Sequence, residues 1–205
     1  MTTYTLTYFD FDGGRGEPIR IALHSAGIAF EDKRLSFTQF SEQRSDFRFN
    51  ALPVFEVDGV AVTQSNAICR YVGKLAGLYP ADDLQALYCD EVMDALEDLG
   101  QRLGPTFSMK GEELRLAREK LAGGWMPVFL RGLEQLLVRG GGTWFADNRL
   151  TIADLKAFVN IRWLTSGALD HVPADLVQRH APGLVAHQER VGKDPQVVDY
   201  YASRR

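Results

Sequence analysis

The stretch ALPVFEVDGVAVTQS, residues 51–65, combines two features that could bind a ligand. Pro53 has no N–H and holds Leu52 in extended geometry, so a cis bond between them would turn the backbone N–H and C=O of Leu52 away from the sheet. Ser65 follows Gln64 where a helix should begin and is a candidate N-cap at the positive end of the helix dipole, a place suited to a carboxylate. The pattern predicts a site for a short acidic peptide. An ordinary hairpin followed by a helix cap would explain these residues equally well.

The turn inside this stretch determines how its two ends meet. Asp58 and Gly59 stand between two apolar runs, and Asp-Gly is a strong signal for a type I′ turn, in which both central residues take positive φ. Residues 60–62 are therefore expected to return antiparallel to the preceding strand. They would bring Gln64 and Ser65 to the start of the next helix.

Strand and helix signals alternate through the first eighty residues. Period-two alternation predicts a strand over 4–8, and the loop DFDGGRGEP at 10–18 carries three glycines within four positions. A helix then begins near Pro18 and ends at Gly27. The same signals predict, in order, a strand at 30–35, a short helix at 40–48, the hairpin at 51–65 and a helix at 65–77. The order βαβαββα predicts an α/β unit with its own small core.

Beyond residue 80 the strand signals stop. Apolar residues recur every three or four positions over 84–103, after a candidate cap at Asp82-Asp83, and a second long amphipathic run covers 113–137. Residues 81–205 are therefore predicted to form an all-helical domain. A chain of this length can hold two small domains.

Composition and charge argue against several classes of protein. The chain has 205 residues, 45% of them hydrophobic, and a net charge of −4 without a long basic block, so nucleic-acid binding is not expected. No membrane-span or signal-peptide pattern is found, which predicts a soluble, cytoplasmic protein. Cys69 and Cys89 form no disulfide framework, redox motif or zinc pattern. The histidines show no ligand or base spacing and are interpreted as surface or helix residues: His24, His171, His180 and His187.

Several short motifs occur in the same order as in a known family. They are YTLTYFD at 4–10, EPIR at 17–20, LPVFEVDG at 52–59, QSNAICRYV at 64–72 and TIADL at 151–155. With the βαβαββα order and the all-helical second half, they resemble the cytosolic glutathione transferases over essentially the whole chain. The resemblance is closest to the sigma class, which includes the glutathione-dependent prostaglandin D synthases.

The resemblance implies both a fold and a reaction. Residues 1–80 would be a thioredoxin-like, glutathione-binding α/β domain, and residues 81–205 an all-α domain forming the second-substrate site and part of a homodimer interface. The implied enzyme activates the glutathione thiol as thiolate and conjugates it to small electrophiles, or reduces hydroperoxides with it. Two alternatives are a glutathione-dependent isomerase and a non-catalytic protein of the same fold. Glutathione would be the co-substrate, and no metal would be required.

The same resemblance implies which residues activate the thiol. Tyr8, at the end of the first strand, matches the hydroxyl that hydrogen-bonds the sulfur, and Arg15 matches an arginine that steadies the thiolate. Lowering a thiol pKa by two units takes about 2.7 kcal/mol of differential stabilisation. Tyr4 is the competing tyrosine, but it lies at the other end of the strand.

Further residues match the family's contacts to the peptide part of glutathione. The backbone of Leu52, beside a cis Pro53, would pair with the cysteinyl unit, and Gln64 and Ser65 would hold the γ-glutamyl carboxylate. Asp98 would reach the γ-glutamyl ammonium bound to the neighbouring subunit.

Three positions at the glycyl end of glutathione depart from the sigma-class pattern. Phe40 stands where that class usually has tryptophan, Arg44 where it has lysine, and Ala51 where relatives often have lysine. Arg44 could grip the glycyl carboxylate with a planar fork that lysine lacks. The contact from position 51 would be lost, so glutathione binding would depend more on Arg44.

The second substrate is expected between the glycine-rich loop and the helical domain. Phe11 and Gly14 would flank it on one side, and residues 100–106, Lys156 and Asn160 on the other. The polar pair Lys156 and Asn160 stands where relatives carry larger, less polar groups, which favours a small electrophile, including an anionic one, over a lipid.

Two groups of residues allow more than one interpretation. Asp94, Glu97 and Asp98 share one face of a helix; such a ridge binds a divalent cation in some sigma-class members, but a solvated face explains the spacing better. Phe47 and Phe49 are expected either at the dimer interface or in an ordinary core.

Overall fold

The structure, a computed structural model, describes residues 2–204. Its contacts divide the chain into two compact units, one made of Met1–Tyr79 with Pro195–Arg205 and the other of Pro80–Asp194. This division differs from the expected one, in which residues 81–205 form a single domain. The last segment groups with the first unit because its helix packs on the first helix of the chain.

The first unit alternates strands and helices in the predicted order. Its elements are β1 (Tyr4–Phe9), α1 (Glu17–Ser25), β2 (Glu31–Leu35), α2 (Phe37–Gln43), β3 (Val54–Val57), β4 (Val60–Thr63) and α3 (Ser65–Leu75), with short 3₁₀ turns at Arg44–Asp46 and Arg48–Asn50. The strands form one four-stranded sheet in the order β2-β1-β3-β4. β1 runs parallel to β2 and antiparallel to β3.

The sheet places Tyr8 beside the hairpin of residues 51–65. In the ladder, Tyr8 pairs with Arg34 of β2, and its neighbour Thr7 pairs with Val54, the first residue of β3. Leu6 in the central strand is fully buried. The end of β1 and the start of β3 therefore lie side by side at the same edge of the core.

The hairpin turn has the predicted geometry. Asp58 and Gly59 take φ values of 49° and 80°, and Val57 pairs with Val60 across them. Positive φ at both central residues defines a type I′ turn, whose twist matches that of the two strands. The prediction is confirmed.

Helix α2 begins and ends earlier than the predicted range of 40–48. Ser36 caps it: the Gln39 N–H donates to the Ser36 hydroxyl at 3.1 Å, and the Ser36 N–H donates to the Gln39 side chain at 2.8 Å. This reciprocal capping box starts the helix at Phe37. The predicted C-terminal half is 3₁₀ turn instead, and Phe49 and Asn50 leave it with left-handed φ values of 61° and 50°.

The second unit is helical throughout its regular structure. It contains α4 (Asp83–Leu103), a 3₁₀ turn (Gly104–Ser108), α5 (Gly111–Gly123), α6 (Trp125–Arg139), α7 (Ile152–Thr165), α8 (Leu176–His180) and α9 (Pro182–Gly192); α10 (Pro195–Ala202) follows and belongs to the first unit. Asp82 caps α4 as predicted, accepting N–H donors from Leu84 and Gln85. The predicted single run over 113–137 is wrong, because the backbone leaves helical geometry at Gly124.

Helix α7 forms the centre of the second unit. Residues 151–159 are all buried, and the buried Asp154 carboxylate accepts hydrogen bonds from the N–H groups of Thr151 and Phe145 and contacts His187 Nε2 at 2.9 Å. His187 was expected at a surface or helix position; it lies in α9 and is fully buried. Within residues 2–204, none of the helices has the length and apolar character needed to cross a membrane.

Candidate functional site

Tyr8 lies near the end of β1, beside the glycine-rich loop of residues 10–16. It is 5% exposed, and its hydroxyl oxygen accepts a hydrogen bond from the backbone N–H of Arg15 at 2.9 Å. A hydroxyl that accepts a hydrogen bond becomes a better donor of its own proton, because hydrogen bonds in series polarise one another. The two residues predicted to be catalytic are therefore in contact, through the main chain of Arg15.

Two glycines allow the loop to approach Tyr8 this closely. A Cβ at Gly14 would lie 2.5 Å from the Tyr8 hydroxyl oxygen, and a Cβ at Gly16 would lie 2.5 Å from Cδ1 of the same ring. Gly14 also takes a left-handed φ of 65°. The glycine-rich loop predicted from the sequence thus has a steric purpose that its composition alone does not reveal.

Arg20 is a site residue that the sequence interpretation missed. It is fully buried in α1 and donates from Nη1 to the Phe11 carbonyl at 3.1 Å, from Nη2 to the Phe9 carbonyl at 3.2 Å and from Nε to Asp32 at 2.9 Å. Its guanidinium lies 5.7 Å from the centre of the Tyr8 ring. It therefore holds two main-chain carbonyls in the segment that follows Tyr8. An arginine inside the apolar stripe of a short helix was the available signal.

Arg34 holds the outer side of the same loop. Its guanidinium donates to Asp32 at 2.7 Å and to Asp10 and Asp12 at 3.3 Å. Burial opposes the charge, but the hydrogen bond and the charge of Asp32 together raise the pKa of Arg34 above its usual value. This permanent cation ties two acidic loop residues to strand β2.

Two other predicted site residues lie close to Tyr8. Leu52 belongs to one buried cluster with Tyr8, Leu35 and Val54, and Phe40 packs against that cluster. Phe47 packs there too, which favours the core interpretation for that residue.

The peptide bond between Leu52 and Pro53 is cis, as the family resemblance implies. The antiparallel ladder between β1 and β3 begins one residue later, with Thr7 opposite Val54. Leu52 therefore precedes the ladder, in the position from which a bound peptide could pair with its main chain.

Arg44 lies near Phe40 and near the chain that leads into Ala51, just before the cis peptide bond. Arg44 Nε donates to the carbonyl of Asn50 at 3.3 Å, and its guanidinium is 6.0 Å from the centre of the Phe40 ring. Ala51, which follows Asn50, is exposed. The arginine is thus oriented by the chain just before the cis peptide bond.

Ser65 is not the N-cap of α3, which corrects the sequence interpretation. The cap position belongs to Gln64, whose φ of 74° turns the chain from β4 into the helix, and no cap hydrogen bond from its side chain is found. Ser65 is the first helical residue and is buried, and the first intrahelical bond runs from Ile68 N–H to the Gln64 carbonyl. The pair still lies at the positive end of the helix dipole.

The second unit changes the interpretation of Lys156. Its ammonium is 3% exposed and pairs with Glu97 at 2.6 Å, and Asn160 donates to the Lys156 carbonyl. A buried charge requires such a partner, so Lys156 serves this ion pair rather than a substrate. This corrects the expected polar lining.

That ion pair also changes the interpretation of the acidic ridge on α4, which consists of Asp94, Glu97 and Asp98. Glu97 is paired with Lys156, while Asp94 and Asp98 are exposed. Among residues 2–204, no group of three or more His, Cys, Asp or Glu side chains is arranged to hold a metal ion. Asp98 lies in the second unit, whereas the other predicted glutathione contacts lie in the first.

Comparison with known proteins gives the family. The glutathione S-transferase N-terminal domain family matches residues 4–74, and the glutathione S-transferase C-terminal domain family matches residues 97–204. The chain belongs to the glutathione S-transferase family. The predicted family and the predicted fold class, a thioredoxin-like α/β domain followed by an all-α domain, are confirmed.

Individual relatives agree with this assignment. Glutathione S-transferase 1 of Ascaris suum is 33% identical over 160 residues, 76% of this chain and 77% of the relative. The human hematopoietic prostaglandin D synthase is 30% identical over 205 residues, covering 100% of this chain and 98% of the relative. The solved structure of prostaglandin synthase D of Nilaparvata lugens has a TM-score of 0.86 at 28% identity and covers 99% of this chain and 98% of its own.

Proposed function

We propose that this member of the glutathione S-transferase family is a transferase that uses glutathione as co-substrate and activates its thiol through Tyr8. The observation that carries the proposal is the hydrogen bond from the Arg15 N–H to the Tyr8 hydroxyl oxygen, 2.9 Å long. It fixes the phenol at the buried end of β1 and strengthens it as a donor toward a sulfur anion.

The reaction follows from the weak acidity of a thiol. A free thiol has a pKa near 8.5, so little thiolate exists at neutral pH. A phenol O–H that donates to the sulfur favours the ionised form, and the released thiol proton passes to solvent. The thiolate then forms a bond to an electrophilic carbon, whose leaving group departs with the bonding electrons. Tyr8 keeps its own proton throughout and acts as a hydrogen-bond donor.

Each of the three parts of glutathione would be bound by different residues. The main chain of Leu52 would pair with the cysteinyl unit, and Gln64 with Ser65 would hold the γ-glutamyl carboxylate at the start of α3. Arg44, oriented by Asn50 and Phe40, would bind the glycyl carboxylate as a charge-assisted pair.

We also propose that the protein acts as a homodimer in which Asp98 of a second copy reaches the bound γ-glutamyl ammonium. Asp98 is exposed on α4, which is compatible with that role. Sedimentation should give a particle of two chains, and Asp98→Asn should weaken glutathione binding without changing the sedimentation. A monomer with full activity would contradict this part of the proposal.

Conjugation of chlorodinitrobenzene tests the role of Tyr8. Tyr8→Phe should lower kcat/KM at neutral pH by about tenfold to hundredfold, the loss expected from one to two units of thiol pKa, and should move the pH profile to higher pH. Tyr4→Phe is the matched control, since Tyr4 lies at the opposite end of the same strand. Activity of Tyr8→Phe equal to that of the wild type would refute the role given to Tyr8.

A glutathione-dependent isomerase is the second candidate, supported by the 30% identity to the human prostaglandin D synthase over the whole chain. The same thiolate would then add to the substrate and leave again. The two candidates differ in one measurable quantity: conjugation consumes glutathione in proportion to product, and isomerisation returns it.

A further inference from the structure

Helix α10 is attached directly to the glycine-rich loop. Arg204, just after the helix, forms an ion pair from Nη2 to Asp12 Oδ1 at 2.9 Å. The same guanidinium lies 5.2 Å from the centre of the Tyr200 ring and donates to the Tyr200 hydroxyl. Asp12 also accepts hydrogen bonds from Arg34 on its other side. The loop carboxylate is therefore held between β2 and the end of α10.

A second attachment lies on the other side of the loop, at the first residue of α1. Glu17 is fully buried; burial raises its pKa, which the charge of Arg20 and a hydrogen bond with the Tyr201 side chain partly counteract. Tyr200, beside Tyr201 in α10, is 3% exposed. The C-terminal helix therefore contacts the residue that immediately follows the loop.

A third contact fixes α10 along α1 without touching the loop. His24 Nε2 lies 2.9 Å from Asp199 Oδ2, and the His24 ring meets the Tyr200 ring edge-on at 5.5 Å. The position of α10 on α1 is thus set independently of Asp12 and Glu17.

The chain between these two attachments needs external support. It reads Gly13-Gly14-Arg15-Gly16, and glycine loses more conformational freedom on ordering than any other residue, by about 0.5–1 kcal/mol relative to alanine. Close approach to the Tyr8 ring requires glycine at positions 14 and 16, so the segment cannot be stiffened by its own side chains. The Arg15 N–H that reaches Tyr8 lies in the middle of this segment.

We propose that α10 is a positioning element for the Tyr8 hydroxyl: Arg204 through Asp12, and the packing of α10 on α1, hold the glycine segment so that the Arg15 N–H stays directed at the phenol oxygen. Arg204 and Asp12 are positioning residues, since they act on the reaction only through the loop. This inference rests on the proposed role of Tyr8.

Amide hydrogen exchange by NMR, on the full chain without substrate, tests the positioning directly. Arg204→Gln and Asp12→Asn should each speed exchange of the Arg15 amide at least threefold, and the double variant should be no faster than the quicker single one, because both break the same ion pair. Arg204→Lys should recover part of the protection. Asp10→Asn is the matched control: it removes a carboxylate from the same loop that contacts Arg34 but has no contact with Arg204.

Kinetics supply the second readout. Arg204→Gln and Asp12→Asn should lower kcat/KM with chlorodinitrobenzene threefold to tenfold at neutral pH and shift its pH profile upward by up to one unit, since each unit is a factor of ten. Asp10→Asn and Asp199→Asn should stay within twofold of the wild type. A purely structural role of α10 would lower thermal stability without moving the pH profile.

The outcomes separate this inference from the proposed function. Wild-type exchange at Arg15 in both single variants, or an equal acceleration in Asp10→Asn, would overturn the positioning role. Faster exchange at Arg15 in a protein that conjugates no electrophile would uphold the positioning role and reject the proposed function.

Discussion

Two regions of the first unit border the proposed glutathione site, and they are built in opposite ways. Tyr8 and residues 16–20 beside it are buried, although loop residues 10–12 are exposed, and polar groups there are held by side chains such as Arg20 and Arg34. The region of residues 36–51 is exposed at every position except Phe40 and Phe47, which are partly buried. The first should resist local opening, and the second should open at low cost.

This difference in burial predicts that one region acts in thiolate stabilisation and the other in glutathione binding. Stabilising a thiolate requires a donor fixed to within a few tenths of an ångström, which buried packing provides. Gripping the glycyl carboxylate requires only a cation within reach, which an exposed arginine provides. Substitutions near Tyr8 should therefore change stability and kcat, whereas substitutions in residues 36–51 should change KM for glutathione.

The largest effect is expected from Arg20→Met. Removing the guanidinium leaves Glu17 buried without its cation and leaves the carbonyls of Phe9 and Phe11 without their donor. Breaking one partner of such a buried network costs about 3–5 kcal/mol, and urea unfolding should show that loss. Arg115→Met, which breaks an exposed ion pair with Glu112, is the control and should barely move the midpoint. Equal unfolding midpoints for the two variants would show that the buried charges do not stabilise the Tyr8 region.

The next effect is steric and concerns Gly16→Ala. The backbone φ of −79° at Gly16 suits alanine, so the expected conflict is between the new Cβ and the Tyr8 side chain, whose Cδ1 would be 2.5 Å away. Displacing the ring should lower kcat/KM by about tenfold to hundredfold, the size expected for a misplacement near 1 Å. Gly132→Ala is the matched control, because a Cβ there meets nothing within 4 Å. If both variants kept full activity, the close approach of the loop would have no functional value.

The sequence revealed the parts of this structure that local chemistry determines. The Asp58-Gly59 turn and the Asp82 cap each depend on a few adjacent residues, which predict both, whereas the cis Leu52-Pro53 bond is implied by the family resemblance. The Ser36–Gln39 capping box was equally local; its spacing was readable in the sequence and was overlooked.

The missed features depend on residues that are far apart in the chain. Arg20 pairs with Asp32, on strand β2, and with carbonyls of the loop, and Lys156 pairs with Glu97, which is on another helix. The helical periodicity of apolar residues continues through Gly124, so it does not predict the break between α5 and α6. Such pairings are set by tertiary packing, which overrides local propensity.

A moderate effect, confined to binding, is expected from Arg44→Ala. Loss of one charge-assisted contact should raise KM for glutathione by about threefold to tenfold, equivalent to about 1 kcal/mol, with kcat unchanged. Calorimetric titration with glutathione should show the same weakening. Arg48→Ala, in the second 3₁₀ turn of the same exposed region, should bind glutathione normally. A fall in kcat for Arg44→Ala would contradict the proposal that residues 36–51 affect glutathione binding alone.

The smallest effect tests whether the two regions are independent. Ser36→Ala removes the cap of α2, worth about 1 kcal/mol of local stability, and should speed amide exchange within α2 about fivefold. Ser41→Ala, inside the same exposed helix, makes the same substitution without losing a cap and should slow exchange or leave it unchanged, because alanine favours the helix interior. Exchange at the Arg15 amide should be equal in both variants and in the wild type. If Ser36→Ala also sped exchange at Arg15, α2 and the loop beside Tyr8 would open as one cooperative unit. The two regions would then differ in solvent exposure but not in resistance to local opening.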